Sequence, residues 1–507
     1  MTRASAALAA GAVLALCAVS CSAPDKEASV VLLPVPDDPT ISFTVWFNVG
    51  SQDDPPGKEG LAHLTGELLA QGSTTENSYE EILRRLYPLA SEYGIRVDKE
   101  MTTLTGRTHR DNVEAYYRLF TAAFLKPAFD DSDFQRVQSD AINFLENTLR
   151  YASDEELAKA ALHALVFAGT SYAHPPVGTV QGLKSITLED VKKFYREHYL
   201  GANAVVALGG GFAGDLAQRF EGALAELPSG EPKAAAGLID VEPIERTKVI
   251  VVSKAGADAS ISFGFPVEVR RGEKDFYALW IANSWLGEHR NSSSHLYQVI
   301  REARGLNYGD YSYIEAFPEG GRRSMPPVNV ARNEQMFEIW IRTLPNEQSR
   351  FALRAALREL ASLVQNGMTA EQFELTRSFL EKYVLHFAET TRERLGYAVD
   401  DRFYGIDGEG HLARFRQMMR ELTVEDVNAA IRKHLRHDRL KIAIVTGDAE
   451  GLSAGLGKDT PSPVSYPSPK SDQILAEDRE IAVFPLAIDP DAISIVAVED
   501  VFERAGF

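Results

Sequence analysis

The sequence predicts an α+β chain made of two homologous α/β units. A segment recurs: Ile186-Thr187-Leu188-Glu189-Asp190-Val191, running on to His198, returns as Leu422-Thr423-Val424-Glu425-Asp426-Val427, running on to His434. In each copy a threonine followed three residues later by an aspartate makes a capped helix start. Each is succeeded by an apolar strand-like run, Ala204 to Leu208 and Ile442 to Val445, and then by glycine. A capped helix and strand repeated together mark a duplicated unit. Length points the same way, because 507 residues with 45% hydrophobic content exceed what one core organises. The join falls near Pro228 to Thr247, rich in Pro, Gly, Ala and charge and without periodicity.

Before the first unit, Met1-Thr2-Arg3 and the apolar run Ala4 to Val19 match a secretory signal over residues 1–20. Ala18-Val19-Ser20-Cys21 resembles a bacterial lipobox. Cys17 and Cys21 are the only cysteines, so cleavage before Cys21 leaves one, at the new N-terminus, open to lipid and without a disulfide partner. The expectation is an exported protein on the periplasmic side of a bacterial membrane, anchored by lipid on Cys21 and linked to the body by residues 21–29. A formal net charge of -19 argues against nucleic acid or an anionic membrane surface as the main ligand and suits a peptide or protein partner.

The first domain is expected over residues 30–228. Val30 to Val49 alternates around Pro36-Asp37-Asp38-Pro39 and predicts a two-stranded hairpin, and threonine-rich Met101 to His109 suits an edge strand. Helical periodicity covers Val113 to Phe124, Ser132 to Arg150 and Glu155 to Phe167. A linker over 229–247 leads to a second domain, 248–456, which opens on Lys248-Val249-Ile250-Val251-Val252. Its helix from Lys274 to Leu286 carries Trp280 and Trp285 but no histidine at ligand spacing, which reads as packing. A tail, 457–507, ends in a strand-like run from Ile493 to Val498 that docks back on the body.

Chemistry concentrates in Gly60-Leu61-Ala62-His63-Leu64-Thr65-Gly66-Glu67-Leu68. Leu61, Leu64 and Leu68 recur at helical spacing, and His63 and Glu67, four apart, share another face as two candidate metal ligands. The framing resembles the inverted zinc motif His-x-x-Glu-His of the insulinase, pitrilysin and mitochondrial-processing-peptidase family. On that frame His63 takes the first histidine, Gly66 the glutamate and Glu67 the second histidine. Tyr172-Ala173-His174-Pro175-Pro176-Val177-Gly178-Thr179 resembles the family's His-Pro and Gly-Thr loop. Leu296 to Tyr308 resembles the segment in which an arginine and a tyrosine seven residues later, here Arg301 and Tyr308, reach the other domain's active site.

The resemblance, from Val30 to Asp448, implies mixed sheets with helices on one side, closing as a clamshell around an extended peptide. It implies a metal set of His63, Glu67 and Glu146, since His, Glu, Glu is still an admissible zinc shell. It also implies that the group which deprotonates metal-bound water is missing at Gly66, a loss of about 10²- to 10⁴-fold. A damaged motif beside a retained Arg301 and Tyr308 resembles the non-catalytic subunit of two-chain members, which lends that pair to a zinc-bearing partner. Two other readings stand beside it. One is a self-sufficient zinc metalloendopeptidase using His63, Glu67 and Glu146 with another base. The other is a non-enzymatic peptide-binding clamshell that captures chains on the edge Met101 to Thr108.

Overall fold

A computed structural model describes residues 30–233 and 239–506. The signal segment, residues 21–29 with Cys21, and the middle of the expected join lie outside the described residues. The N-terminal half holds one sheet of β1 (Val30–Pro34), β2 (Thr40–Phe47), β3 (Glu92–Val97), β4 (Thr102–His109) and β5 (Ala204–Gly210), in the order β1-β5-β2-β4-β3. Its helices are α1 (Leu61–Gln71), α2 (Tyr79–Leu86), α3 (Val113–Leu125), α4 (Asp131–Asn143), α5 (Asp154–Val166), α6 (Val180–Ser185), α7 (Leu188–His198) and α8 (Asp215–Leu224). A π-helical stretch, Phe144–Ala152, continues α4.

The C-terminal half repeats the plan. Its sheet holds β6 (Lys248–Ser253), β7 (Ala259–Val267), β8 (Asp310–Tyr313), β9 (Gln335–Leu344), β10 (Lys441–Thr446) and β11 (Ile493–Ala497), in the order β11-β6-β10-β7-β9-β8. The helices are α9 (Lys274–Gly287), α10 (Ser349–Asn366), α11 (Ala370–Tyr383), α12 (Thr391–Tyr404), α13 (Gly410–Glu421), α14 (Val424–His434), α15 (Ala449–Gly457) and α16 (Asp472–Ile481). The repeat read from sequence is realised bond for bond: the Thr187 and Thr423 hydroxyls accept the Asp190 and Asp426 amides at 3.2 Å, and each aspartate accepts its threonine's amide in return. The capped helices α7 and α14 each lead to a buried strand, β5 and β10.

Strand alternation decides which face meets what. Ile41, Phe43, Val45 and Phe47 of β2 point into their own half, where the Phe43 ring lies 5.1 to 5.6 Å from those of Tyr116, Phe120 and Phe220. The opposite face, with Trp46, Val205 and Ala207, is covered by Leu395, Val399 and Phe403 of α12, a helix of the other half. The exchange is mutual. In the C-terminal sheet, Val249, Val251, Ile442 and Ile444 face their own helices. Ile250, Val252, Ala443 and Val445 instead join the N-terminal core with Leu157, Ala158, Ala161 and Leu162 of α5. Each half's own helices therefore lie on one side of its sheet, and a helix from the other half covers the second side.

Two sequence expectations are corrected. Val30 to Val49 is not a hairpin, because β5 inserts between β1 and β2, parallel to the first and antiparallel to the second. Its buried run Ala-Val-Val-Ala-Leu supplies a strand that both neighbours can pair. Met101 to His109 is not an edge strand either: β4 pairs with β2 on one side and β3 on the other, and β3 is the edge. Among the described residues no helix is long and apolar enough to cross a membrane.

Candidate functional site

Helix α1 starts at Gly60, whose φ of +110° and close approach to Val177 and Leu183 leave no room for a Cβ. Its first free amides are taken by Asp54, which accepts from Gly60 and Ala62 at 2.7 Å each. His63 and Glu67 are both half-buried and one turn apart. Burial holds the His63 imidazole below its ordinary pKa, with Glu67 opposing, so the ring is neutral near pH 7. Glu67 accepts from Gln71 Nε2 at 2.6 Å.

Between them, Gly66 meets β3. A Cβ there would sit 2.6 Å from Val97 Cγ2 and 3.6 Å from both Ile95 Cδ1 and the Tyr199 hydroxyl. The place where the family's glutamate would stand is thus filled by apolar side chains of β3. This is the close packing that a glycine inside a helix suggests.

The metal set implied by the family resemblance is not assembled. Glu146 lies on the π-helical stretch and pairs with Lys184 of α6 at 3.2 Å. Among the described residues, no three His, Cys, Asp or Glu side chains gather as a metal-holding group. His63, Glu67 and Glu146 as arranged do not fit zinc, because the three side chains do not come together: Glu146 is paired with Lys184 of another helix, away from His63 and Glu67.

Arg301 and Tyr308 are placed differently from each other. Arg301 is on a π-helical stretch, Tyr297–Glu302, with its guanidinium 4.7 Å from the Tyr297 ring centre and 2.5 Å from Glu302 Oε1. Tyr308 is 76% exposed and lines a cleft of about 760 Å³ between the halves. Ser153, Asp154 and Glu155 form one wall; Asp258, Asn307, Tyr308 and Arg342 form the other. One ion pair crosses it, Arg342 with Glu155 at 3.0 Å, and Asp154 of the first wall is paired with Lys254 of the other half. Arg301 is not among the lining residues.

Sequence reasoning missed a buried polar network that joins the halves behind α1. At the β3–β4 turn, Asp98, Lys99 and Glu100 are all buried. From the C-terminal half, Arg332 Nε donates to Asp98 at 2.5 Å and its Nη1 lies 3.3 Å from His163 Nε2. Asn333 donates its amide and Nδ2 to Glu100 at 2.5 and 2.6 Å. Lys99 donates to the His174 carbonyl, and His174 Nε2 lies 3.8 Å from Asp54, the residue that caps α1.

Burial and then the Arg332 charge pull Lys99 down to about 7. Burial pushes Asp54 up to about 8 against the two amide bonds. Burial, then Lys99, takes His174 down to about 3, so the histidine of the His-Pro loop is a neutral core group. The sequence signal was the charge triplet at residues 98–100 in a stretch too short to be a solvated face.

The comparisons agree with this architecture. Residues 29–180 match the model of the insulinase family (peptidase family M16), and residues 185–380 match that of the peptidase M16 inactive domain. The chain is 26% identical over 359 residues to an uncharacterized zinc protease of Streptomyces coelicolor, covering 68% of this chain and 71% of that protein. It is 22% identical over 402 residues to the non-peptidase homolog YmxG of Helicobacter pylori, covering 79% and 87%. Its fold is similar to the crystal structure of a peptidase M16 inactive domain from Pseudomonas fluorescens, with a TM-score of 0.71 at 24% identity over 83% of this chain and 96% of that one. Two matched domain models in tandem, a duplicated α/β fold and a zinc-motif helix with glycine at the base position place this chain in the insulinase (M16) family.

Proposed function

We propose that this chain is a non-catalytic M16 subunit that handles peptide for a zinc-bearing M16 partner, lending Tyr308 and Arg301 to the joint site. The observation that carries the reading is the contrast between the two halves. At Gly66 the base is absent and β3 fills its place, while Tyr308 stands exposed in the interdomain cleft. A phenol in that position can donate to a peptide carbonyl or to a developing oxyanion. Arg301 has its charge partner on its own segment, Glu302, and exchanges it for a peptide carboxylate or carbonyl in the complex. The Helicobacter relative named a non-peptidase homolog supports the non-catalytic part of the reading, and a similarity of 22% over 169 residues, 33% of this chain and 36% of that one, to a mitochondrial-processing peptidase subunit beta of Dictyostelium discoideum supports the subunit part. Export, with lipid on Cys21 holding the subunit at the periplasmic face of a membrane, belongs to the same proposal.

The test is to assay an intact His-x-x-Glu-His-bearing M16 chain with and without this protein. Peptide cleavage should rise on addition, and Tyr308→Phe or Arg301→Ala should remove most of the rise. Cleavage indifferent to both variants rejects the proposal.

A second reading has one observation of its own. Among the described residues the outer edge of β3 carries no further strand, so it, rather than Met101 to Thr108, is where an extended peptide could add to the sheet. Peptide binding by the isolated chain that is measurable by calorimetry and abolished by a proline at Ile95 would favour it.

A further inference from the structure

The segment after β11 belongs to the opposite half. β11 itself pairs in parallel with β6 at the edge of the C-terminal sheet. Beyond Ala497 the chain crosses over, and Val498, Val501 and Phe502 are buried within the N-terminal core. They lie in a groove between the π-helical stretch and α6. The Val180 amide donates to the Phe502 carbonyl at 3.0 Å and the Gln181 amide to the Glu503 carbonyl at 2.9 Å.

Side chains complete the seat. Buried Arg150 donates through Nε to the Val501 carbonyl at 3.0 Å and pairs through Nη2 with the Glu503 carboxylate at 3.0 Å. Gln181 Nε2 reaches the other Glu503 oxygen at 2.8 Å, and the Tyr151 hydroxyl reaches Glu499 at 2.8 Å. Phe502 is held at φ +58°, a left-handed conformation that a non-glycine residue keeps only where its surroundings fix it.

We propose that this groove is a peptide-binding site, specific for a Val-Phe-Glu segment, which the chain occupies with its own residues 498–503 as a detachable latch between the halves. Recognition combines sockets for two apolar side chains, paired backbone amides, and a buried guanidinium that reads the carboxylate. Such sites bind short peptides in trans once the covalent link is cut. The latch holds both elements that carry the Glu146 and Lys184 pair, and through α6 the Gly178–Thr179 turn that packs on Glu59, next to the start of α1. Its release would loosen the candidate helix and the domain junction together. None of this depends on the subunit role proposed above.

The test uses the full chain with a single protease site inserted after Asp489, in an exposed turn. After cleavage at micromolar concentration the tail should co-elute with the body on gel filtration, and excess synthetic peptide of residues 492–506 should exchange with it. The same peptide carrying Phe502→Ala should compete at least tenfold more weakly. In the uncut chain, Phe502→Asp should speed hydrogen exchange at the Val180 and Gln181 amides while β7 and β10 stay protected. A tail lost on cleavage, equal competition by the alanine peptide, or unchanged exchange at residues 180 and 181 would each overturn the proposal.

Discussion

Restoring the missing glutamate should damage the protein before it helps it. Consider Gly66→Ala first. In an open helix this change stabilises by about 1 kcal/mol. Here its Cβ arrives 2.6 Å from Val97 Cγ2, about an ångström inside ordinary contact, and Val97 is itself buried between sheet and helix. Forcing a methyl into packed surroundings costs about 1 to 3 kcal/mol. The net expectation is therefore a loss of up to about 2 kcal/mol.

Gly66→Glu adds the burial of a carboxyl against Val97 and Ile95 without a donor, about 1 to 3 kcal/mol more, and burial favours its neutral form, which cannot take a proton from water. Urea denaturation followed by circular dichroism measures both variants, and Val97→Ala completes a double-mutant cycle. Because the clash partner is then gone, Gly66→Ala in the Val97→Ala background should recover about 1 kcal/mol or more as coupling. If Gly66→Ala raises the denaturation midpoint of the otherwise wild-type chain, strand β3 does not close the site and the reasoning fails.

With a zinc-bearing M16 partner present, Tyr308→Phe should lower kcat/KM for peptide cleavage by about 10²-fold, the usual cost of one oxyanion donor. Progress curves over a substrate series measure it. Arg332→Ala should destabilise the chain by about 3 to 5 kcal/mol in denaturant, since it strands Asp98. Burial alone would raise the Asp98 pKa, but the Arg332 charge and hydrogen bonds outweigh it, so it lies below the usual value. The pair's contribution is full above about pH 4 and is lost as pH falls through that lowered value.

Glu288 behaves oppositely. Burial pushes it up to about 7, so its cost to stability grows from its unfolded value near 4.5 up to pH 7. Glu288→Gln should gain on wild type by about 3 kcal/mol between pH 4.5 and pH 8, by thermal melts at both. Dialysed against micromolar zinc, the chain alone should retain no stoichiometric metal by atomic absorption, because among the described residues no third ligand side chain gathers with His63 and Glu67.

What the sequence made legible is what local rules decide. Thr187 with Asp190, and Thr423 with Asp426, cap helices by contacts three residues long, so the duplication could be read without a partner in view. Alternation in β2 likewise separated Phe43 and Val45 from Trp46. The strand neighbours were not legible, because β5 reaches its place between β1 and β2 from more than 150 residues away. The candidate site failed for the same reason. His63 and Glu67 share a helix face by spacing alone, but the position of Glu146 depends on the π-helical stretch and on Lys184, a residue of another helix. Arg332 had no periodic pattern to announce it; only the folded chain brings it to Asp98.

The exchanged helices have a consequence for how this duplicated molecule behaves as a whole. Because α5 and α12 each wall the sheet of the other copy, neither copy is complete without its twin: excised, the C-terminal half would bare Ile250, Val252, Ala443 and Val445, and the N-terminal half Trp46, Val205 and Ala207. Domains whose cores interleave in this way are expected to melt as one, and a lesion in either interleaved helix is felt first by the half that did not encode it.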